Sequence, residues 1–169
     1  EEKLVELMLK YGDHVLMRSD HENQPYQITV IEEILAHFDE DGYEIQSPVN
    51  EKIISEIKSG IESDELRAGK FFLTLMDEEV SERVADALLE PYENSDWSKH
   101  NIFFSKEQEL VPKIIEDVII RHKREFTVKM INDLKDTLKA EADNTETYMK
   151  IVSLNQLKNE IDEALHRIL

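Results

Sequence analysis

The chain has 169 residues, of which 40% are hydrophobic, enough for one domain with a real core or one domain plus an appendage. No apolar run approaches the roughly 20 residues of a membrane span, and no signal peptide is visible. There are no cysteines, which excludes disulfides and thiolate metal sites and fits a cytoplasmic location. The chain begins at Glu1 without an initiator Met, so we expect a fragment of a longer protein.

The formal net charge of −18 is unevenly distributed along the chain. Residues 1–100 hold 9 basic and 25 acidic residues, a balance of −16, whereas residues 101–169 hold 11 and 13, a balance of −2. An acidic surface of this kind repels a phosphate backbone, so we expect no direct nucleic-acid binding. Two interpretations of the charge stay open: a solvated surface, or the steering of a basic protein partner.

The first 42 residues predict two helices separated by a polar loop. Residues 1–10 carry apolar side chains at helical spacing and end at Tyr11-Gly12. Residues 13–26 are mostly polar and indicate a loop. The run at 28–31 is β-branched and would suit a strand, but the spacing that follows favours a helix over 27–38.

Three further helices are predicted before residue 90. Ser47 as N-cap and Pro48 at the first helical position open a helix that ends at Gly60. Residues 65–75 are predicted to be helical. Asp77 caps a helix over 77–89. The stretch 92–104 is irregular, and we expect Trp97 and Phe103 to be tucked inward.

The last third predicts one very long helix and a second helix that folds back on it. The long helix spans 107–142, and after a polar break at 143–145 the second runs over 146–169. Pro112 is unfavourable in a helix interior, because proline removes a backbone hydrogen bond and kinks the helix. Either the helix starts near Val111, or residues 105–110 form a separate first turn with a kink. Both helices carry apolar stripes at spacings of three and four, which predicts an antiparallel hairpin. The stripe residues are Met130, Ile131, Leu134, Leu138, Ile151, Leu154, Leu157, Ile161, Leu165 and Ile168.

No sequence motif indicates catalysis or metal binding. The six histidines lack the spacing of a zinc-binding helix, and we expect each to be a surface or boundary residue. The acidic run ending at Gly42 does not match an EF-hand loop, and there is no glycine-rich phosphate loop. The basic cluster 121–124 is either a solvated helix segment or a contact for an acidic surface. Tyr148 beside Met149 either packs inside the hairpin or is an exposed anchor.

The order of these features resembles the C-terminal region of bacterial DnaG-type primases, particularly the Bacteroidetes-like branch. The resemblance covers essentially the whole chain, and order and spacing carry it more than any single motif. The runs are EKLVELMLKYG at 2–12, VIEEIL at 30–35, VSERVADALL at 80–89, Tyr92, SDW at 95–97, ELVPKII at 109–115 and IVSLNQLK at 151–158.

The resemblance implies the helicase-binding domain of a primase, a DNA-directed RNA polymerase that makes primers in DNA replication. It implies an all-α fold: a helical bundle (1–104), a long connecting helix packed on the bundle (105–126) and a C-terminal helical hairpin (127–169). The partner would be the N-terminal domain of the replicative hexameric helicase, with no cofactor and no catalysis in this fragment.

The expected contact residues lie near the hairpin turn: Leu138, Tyr148, Met149 and Val152. We expect Leu134 and Ile151 to hold the hairpin together. Two alternatives stay open: a homo-oligomeric scaffold built on the hairpin or another protein-interaction module, and a helical enzyme that uses its many carboxylates.

Overall fold

The computed structural model describes residues 1–89, 107–140 and 145–168. The chain divides into two compact units, Glu1–Ile115 and Glu116–Leu169. The described residues are mostly helical, which confirms the predicted fold class. The predicted positions of Trp97 and Phe103, and the break at 143 and 144, lie outside the described residues.

The elements follow the chain in the order helix, two strands, five helices, then the final helix. Their bounds are α1 (Glu2–Tyr11), β1 (Val15–Ser19), β2 (Pro25–Thr29), α2 (Val30–Asp41), α3 (Pro48–Glu62), α4 (Gly69–Phe72), α5 (Glu78–Leu88), α6 (Glu107–Ala140) and α7 (Thr145–Ile168). None of the helices in the described ranges combines the length and the apolar character that crossing a membrane requires.

Helix α1 is the central helix of the first unit. It contacts α2, α3, α4 and α5. Half of its residues are apolar side chains almost entirely removed from solvent: Leu4, Val5, Leu7, Met8 and Leu9. A helix that is apolar over most of its circumference must be covered on most sides, which explains the position of α1 among four neighbours.

The prediction of a loop over 13–26 and of a helix from residue 27 was wrong. Strands β1 and β2 form an antiparallel ribbon in which Val15 lies opposite Thr29 and Met17 opposite Gln27. Helix α2 begins only at Val30, because Thr29 caps it: the Thr29 side chain accepts a hydrogen bond from the Glu32 amide, and the Glu32 carboxylate accepts one from the Thr29 amide.

The predicted caps of α3 and α5 are present. The Ser47 side chain accepts from the Asn50 amide at the start of α3, with Pro48 at the first helical position. The Asp77 side chain accepts from the Val80 amide at the start of α5. The helix predicted over 65–75 was too long, because α4 keeps only four residues and begins at Gly69.

Two further predictions need correction. Pro112 lies inside α6 (Glu107–Ala140), so the helix does not start near Val111, whereas the alternative of a separate first turn over 105–110 falls partly outside the described residues. Among the histidines that the structure describes, His37 and His122 are buried rather than at the surface.

Candidate functional site

Helix α7 packs closely and antiparallel against α6, whose residues from Glu116 onward belong to the second unit. Arg124 on α6 bonds to Asp162 on α7. Further along α6, Met130 and Leu134 line a groove together with Met149 and Leu154 of α7. Partners of later α6 residues therefore come from earlier positions on α7, which is the arrangement of an antiparallel hairpin.

The interior of the hairpin is a narrow apolar seam. Among the described residues of the second unit, the buried apolar side chains of the two helices are Ile131, Ile151, Ile161 and Leu165. Thr127 is also buried, and its hydroxyl donates to the Lys123 carbonyl oxygen at 2.8 Å. Ile151 is thus buried in the seam, as expected of a residue that holds the hairpin together. Leu134 is half-buried and lies in the groove.

Beside this seam lies an open groove of about 630 Å³, here called the α6–α7 groove. Four apolar side chains line it, two from each helix: Met130, Leu134, Met149 and Leu154. Its polar lining consists of Asp133, Glu146, Lys150 and Ser153. Glu146 and Lys150 form an ion pair of 2.8 Å on the surface of α7.

Three of the four predicted contact residues are exposed on neighbouring positions of α7. Tyr148 is 64% exposed, Met149 60% and Val152 47%. Because residues three and four apart share a helix face, the three form one apolar surface, here called the α7 strip. Tyr148 is therefore an exposed side chain, and its alternative interpretation, packing inside the hairpin, was wrong. Leu138 is half-buried on α6 and is not among the residues that line the α6–α7 groove.

The basic cluster 121–124 is engaged within the protein. Arg121 donates to Asp117 at 2.8 Å on the same helix, and this bond raises the pKa of Arg121 above its usual range. Arg124 bonds to Asp162 of α7. His122 is buried. Arg121 and Arg124 thus each pair with one carboxylate of α6 or α7, and these two pairs do not decide between a solvated helix segment and a contact for an acidic surface.

Hydrogen bonds from cations lower the pKa values of two carboxylates on α7. The pKa of Asp162 lies below its ordinary 3.8, first because Lys158 donates to it and second because Arg124 does. The pKa of Glu146 lies below 4.5 because Lys150 donates to it. Both carboxylates are therefore charged at neutral pH.

Sequence reasoning missed most of the polar lining of the α6–α7 groove and the pairing of Arg124 with Asp162. The spacing of four between Met130 and Leu134, and of five between Met149 and Leu154, was visible, but the register of the two helices was not. Register depends on how the side chains interdigitate along the seam. That information is absent from periodicity.

In the described ranges, no group of three His, Asp or Glu side chains could hold a metal ion. What the structure defines is a mostly helical protein whose second unit is an antiparallel helix pair with an exposed apolar strip. The chain belongs to the family described as Domain of unknown function (DUF8430), which it matches over residues 1–168. No curated protein and no solved structure matches it.

Proposed function

We propose that this chain is a noncatalytic protein-docking domain whose C-terminal hairpin makes the contact. The observation that carries the proposal is the α7 strip: Tyr148, Met149 and Val152 are apolar, adjacent and each about half exposed or more. Aromatic residues and Met are enriched at protein interfaces, where a rigid ring covers a large area and a flexible thioether adapts to the shape of the partner.

The partner we propose is the N-terminal domain of a replicative hexameric helicase. The support for this step is the resemblance of the sequence to the helicase-binding domain of DnaG-type primases. An arrangement of a first helical unit followed by an antiparallel helix pair is compatible with that proposal. In this role the chain would bring primase to the helicase during DNA replication, in the cytoplasm, and would itself catalyse nothing.

The test is a calorimetric titration of the chain with a purified helicase N-terminal domain. The double substitution Tyr148→Ala with Val152→Ala should weaken binding about tenfold or more, because truncating central interface side chains costs about 1–2 kcal/mol or more. Glu160→Ala, an exposed position on the same helix, is the control and should leave the affinity unchanged. Circular dichroism should show the same helix content in all variants.

Two outcomes separate the parts of the proposal. Undiminished binding by the double variant would contradict the assignment of the contact to the α7 strip. Absence of any binding by the unmodified chain would remove the helicase as the partner. Light scattering on the chain alone tests the homo-oligomeric alternative, which requires a mass above that of one chain.

A further inference from the structure

The ribbon formed by β1 and β2 has two edges, which differ in the backbone amide and carbonyl groups that could pair with an added strand. In an antiparallel pair, positions alternate between those whose amide and carbonyl groups point at the partner strand and those whose groups point away. The Val30 amide donates to the His14 carbonyl at 3.1 Å, and the Asp20 amide donates to the Gln24 carbonyl at 3.1 Å. These two bonds show that the even-numbered residues of the ribbon direct their backbone groups at the partner strand.

The alternation leaves the odd-numbered residues of both strands with outward-pointing backbone groups. On β1 these residues are Val15, Met17 and Ser19. Within the described residues, no hydrogen bond uses their outward groups. As far as the described residues are concerned, the outer edge of β1, here called the β1 edge, therefore presents the amide and carbonyl groups of Val15, Met17 and Ser19 without a partner.

The opposite edge, on β2, is blocked. Pro25 has no amide hydrogen, and the Thr29 amide donates to the Glu32 carboxylate at 2.8 Å in the cap of α2. Only the Gln27 amide is left to pair with another strand on that edge. Natural sheets commonly protect an edge with proline. Here the protection covers one edge and not the other.

Side-chain placement supports the same asymmetry. The even-numbered positions of β1 face the fold: Leu16 is fully buried, and Arg18 bonds to Glu33 of α2 at 2.9 Å. The odd-numbered positions face solvent, with Val15 50% and Met17 60% exposed. An added strand would thus gain backbone hydrogen bonds along Val15, Met17 and Ser19 and apolar contacts with Val15 and Met17.

Charge decides between two possible occupants. The β1 edge is compatible with antiparallel pairing to a second copy about Met17, but each chain carries a net charge of −18, which opposes self-association. Asp20 follows β1 directly, Asp13 lies two residues before it, and residues 1–100 have a balance of −16. A basic segment is therefore the occupant that the surroundings favour.

We propose that the β1 edge is a second docking site, at which an extended, basic segment of a partner protein adds as a third strand. The recognised chemistry is a run of three to five residues in β conformation, with alternating apolar side chains beside Val15 and Met17 and Lys or Arg at its ends. This site is independent of the hairpin and of the function proposed for it.

The probe is a capped peptide of sequence KVTVTVK, titrated into the isotope-labelled full chain and followed by NMR. The amide signals of Val15, Met17 and Ser19 should shift, and their hydrogen exchange should slow about tenfold near saturation. The peptide EVTVTVE should bind at least about tenfold more weakly because of repulsion. The peptide KVTPTVK, whose proline removes a donor, should not slow exchange at these amides.

Two matched proline variants test the edge itself. Met17→Pro and Gln27→Pro each place proline where the amide points outward, so neither removes a hydrogen bond of the ribbon. Met17→Pro should abolish peptide binding, whereas Gln27→Pro should retain it. Retained binding by Met17→Pro would overturn the proposal. So would unchanged exchange of the Met17 amide in the wild-type chain with peptide, a result that does not depend on any variant folding.

Light scattering completes the experiment. A monomer without peptide, with exchange at the β1 edge that slows only when peptide is added, supports a partner segment. A dimer that already protects the Met17 amide would assign the edge to a second copy and would overturn the proposal.

Discussion

Arg124 of α6 and Asp162 of α7 form a hydrogen-bonded ion pair across the hairpin, although 38 residues separate them in the chain. Lys158, one turn earlier on α7, donates to the other oxygen of the same carboxylate at 2.7 Å. One acidic side chain thus receives a bond from each helix. The pair forms in the same register of α6 and α7 that brings Met130 and Leu134 beside Met149 and Leu154 in the α6–α7 groove.

Replacing Asp162 with Asn should lower the melting temperature at neutral pH, because the amide cannot supply the charge that Arg124 and Lys158 bond. The matched control is Asp136→Asn, which removes an exposed pair with Lys139 on a single helix. The control should change the melting temperature less. Equal effects in thermal melts followed by circular dichroism would show that the cross-helix pair has no special role.

The contribution of Asp162 should also depend on pH with a defined sign. Its pKa in the folded protein lies below the ordinary 3.8, so its stabilisation is complete above that ordinary value. Stabilisation is lost as the pH falls through the lower pKa of the folded state. The difference in free energy of unfolding between wild type and Asp162→Asn should therefore shrink below pH 3.8, as measured by urea unfolding. A difference that grows on acidification would contradict this assignment.

Met8 and Met76 allow a test of the core with the same residue type in opposite environments. Met8 is fully buried on α1, and Met76 is fully exposed. Met8→Ala should reduce the free energy of unfolding by about 2–5 kcal/mol, because lost burial and a cavity both contribute. Met76→Ala should change it by less than about 0.5 kcal/mol. Urea denaturation of both variants makes the comparison.

Gly69 lies where α4 begins against α1 and α5. A Cβ atom there would lie 2.5 Å from the Leu9 carbonyl oxygen and 2.8 Å from a methyl carbon of Leu88. Gly69→Ala should therefore destabilise the first unit by about 1–3 kcal/mol through overpacking. Gly42→Asn is the control and should destabilise the protein less than Gly69→Ala does. Gly42 has a φ of +60° with open space around it, and Asn tolerates that conformation. If Gly69→Ala leaves the free energy of urea unfolding unchanged, α4 must be able to move away from Leu9 and Leu88 without cost.

Thr29 joins the end of β2 to the start of α2. Thr29→Ala removes the side chain that accepts from the Glu32 amide and should cost about 1 kcal/mol of unfolding free energy. Thr74→Ala is the control, since its hydroxyl only donates to the Phe71 carbonyl on an exposed turn. That control should stay within about 0.5 kcal/mol of wild type. Similar losses in both variants would argue against the cap as the cause.

Features that depend on a few neighbouring residues were predictable. The starts of two helices could be predicted from Ser47 with Pro48 and from Asp77, which precedes apolar residues at helical spacing. The reason is that a capping hydrogen bond forms within four residues of chain. The apolar stripe that includes Ile151, Ile161 and Leu165 likewise indicated a face that packs on another helix, and these three side chains are buried.

The β1–β2 ribbon was not predictable in the same way. Residues 28–31 suit either a strand or a helix and are divided between them: the local cap of Thr29 starts α2 at Val30, whereas the strand that ends at Thr29 depends on contacts distant in sequence, since Leu16 is buried opposite Ile28 and Arg18 bonds to Glu33. Tertiary packing overrode the local pattern. For the same reason the helical spacing over 65–75 produced only the short helix α4, which begins where Gly69 meets α1.

For the expected contact residues too, one part was predictable from local sequence and another part depended on tertiary packing. The spacing in the final helix placed Tyr148, Met149 and Val152 near the hairpin turn, yet Tyr148 could equally have packed inside. Its exposure depends on which face of α7 meets α6, and that depends on how Ile131, Ile151 and their neighbours interdigitate. Periodicity in a chain identifies the apolar side chains of a helix, because their spacing is local. Which of them another helix covers is settled by packing between segments far apart in sequence.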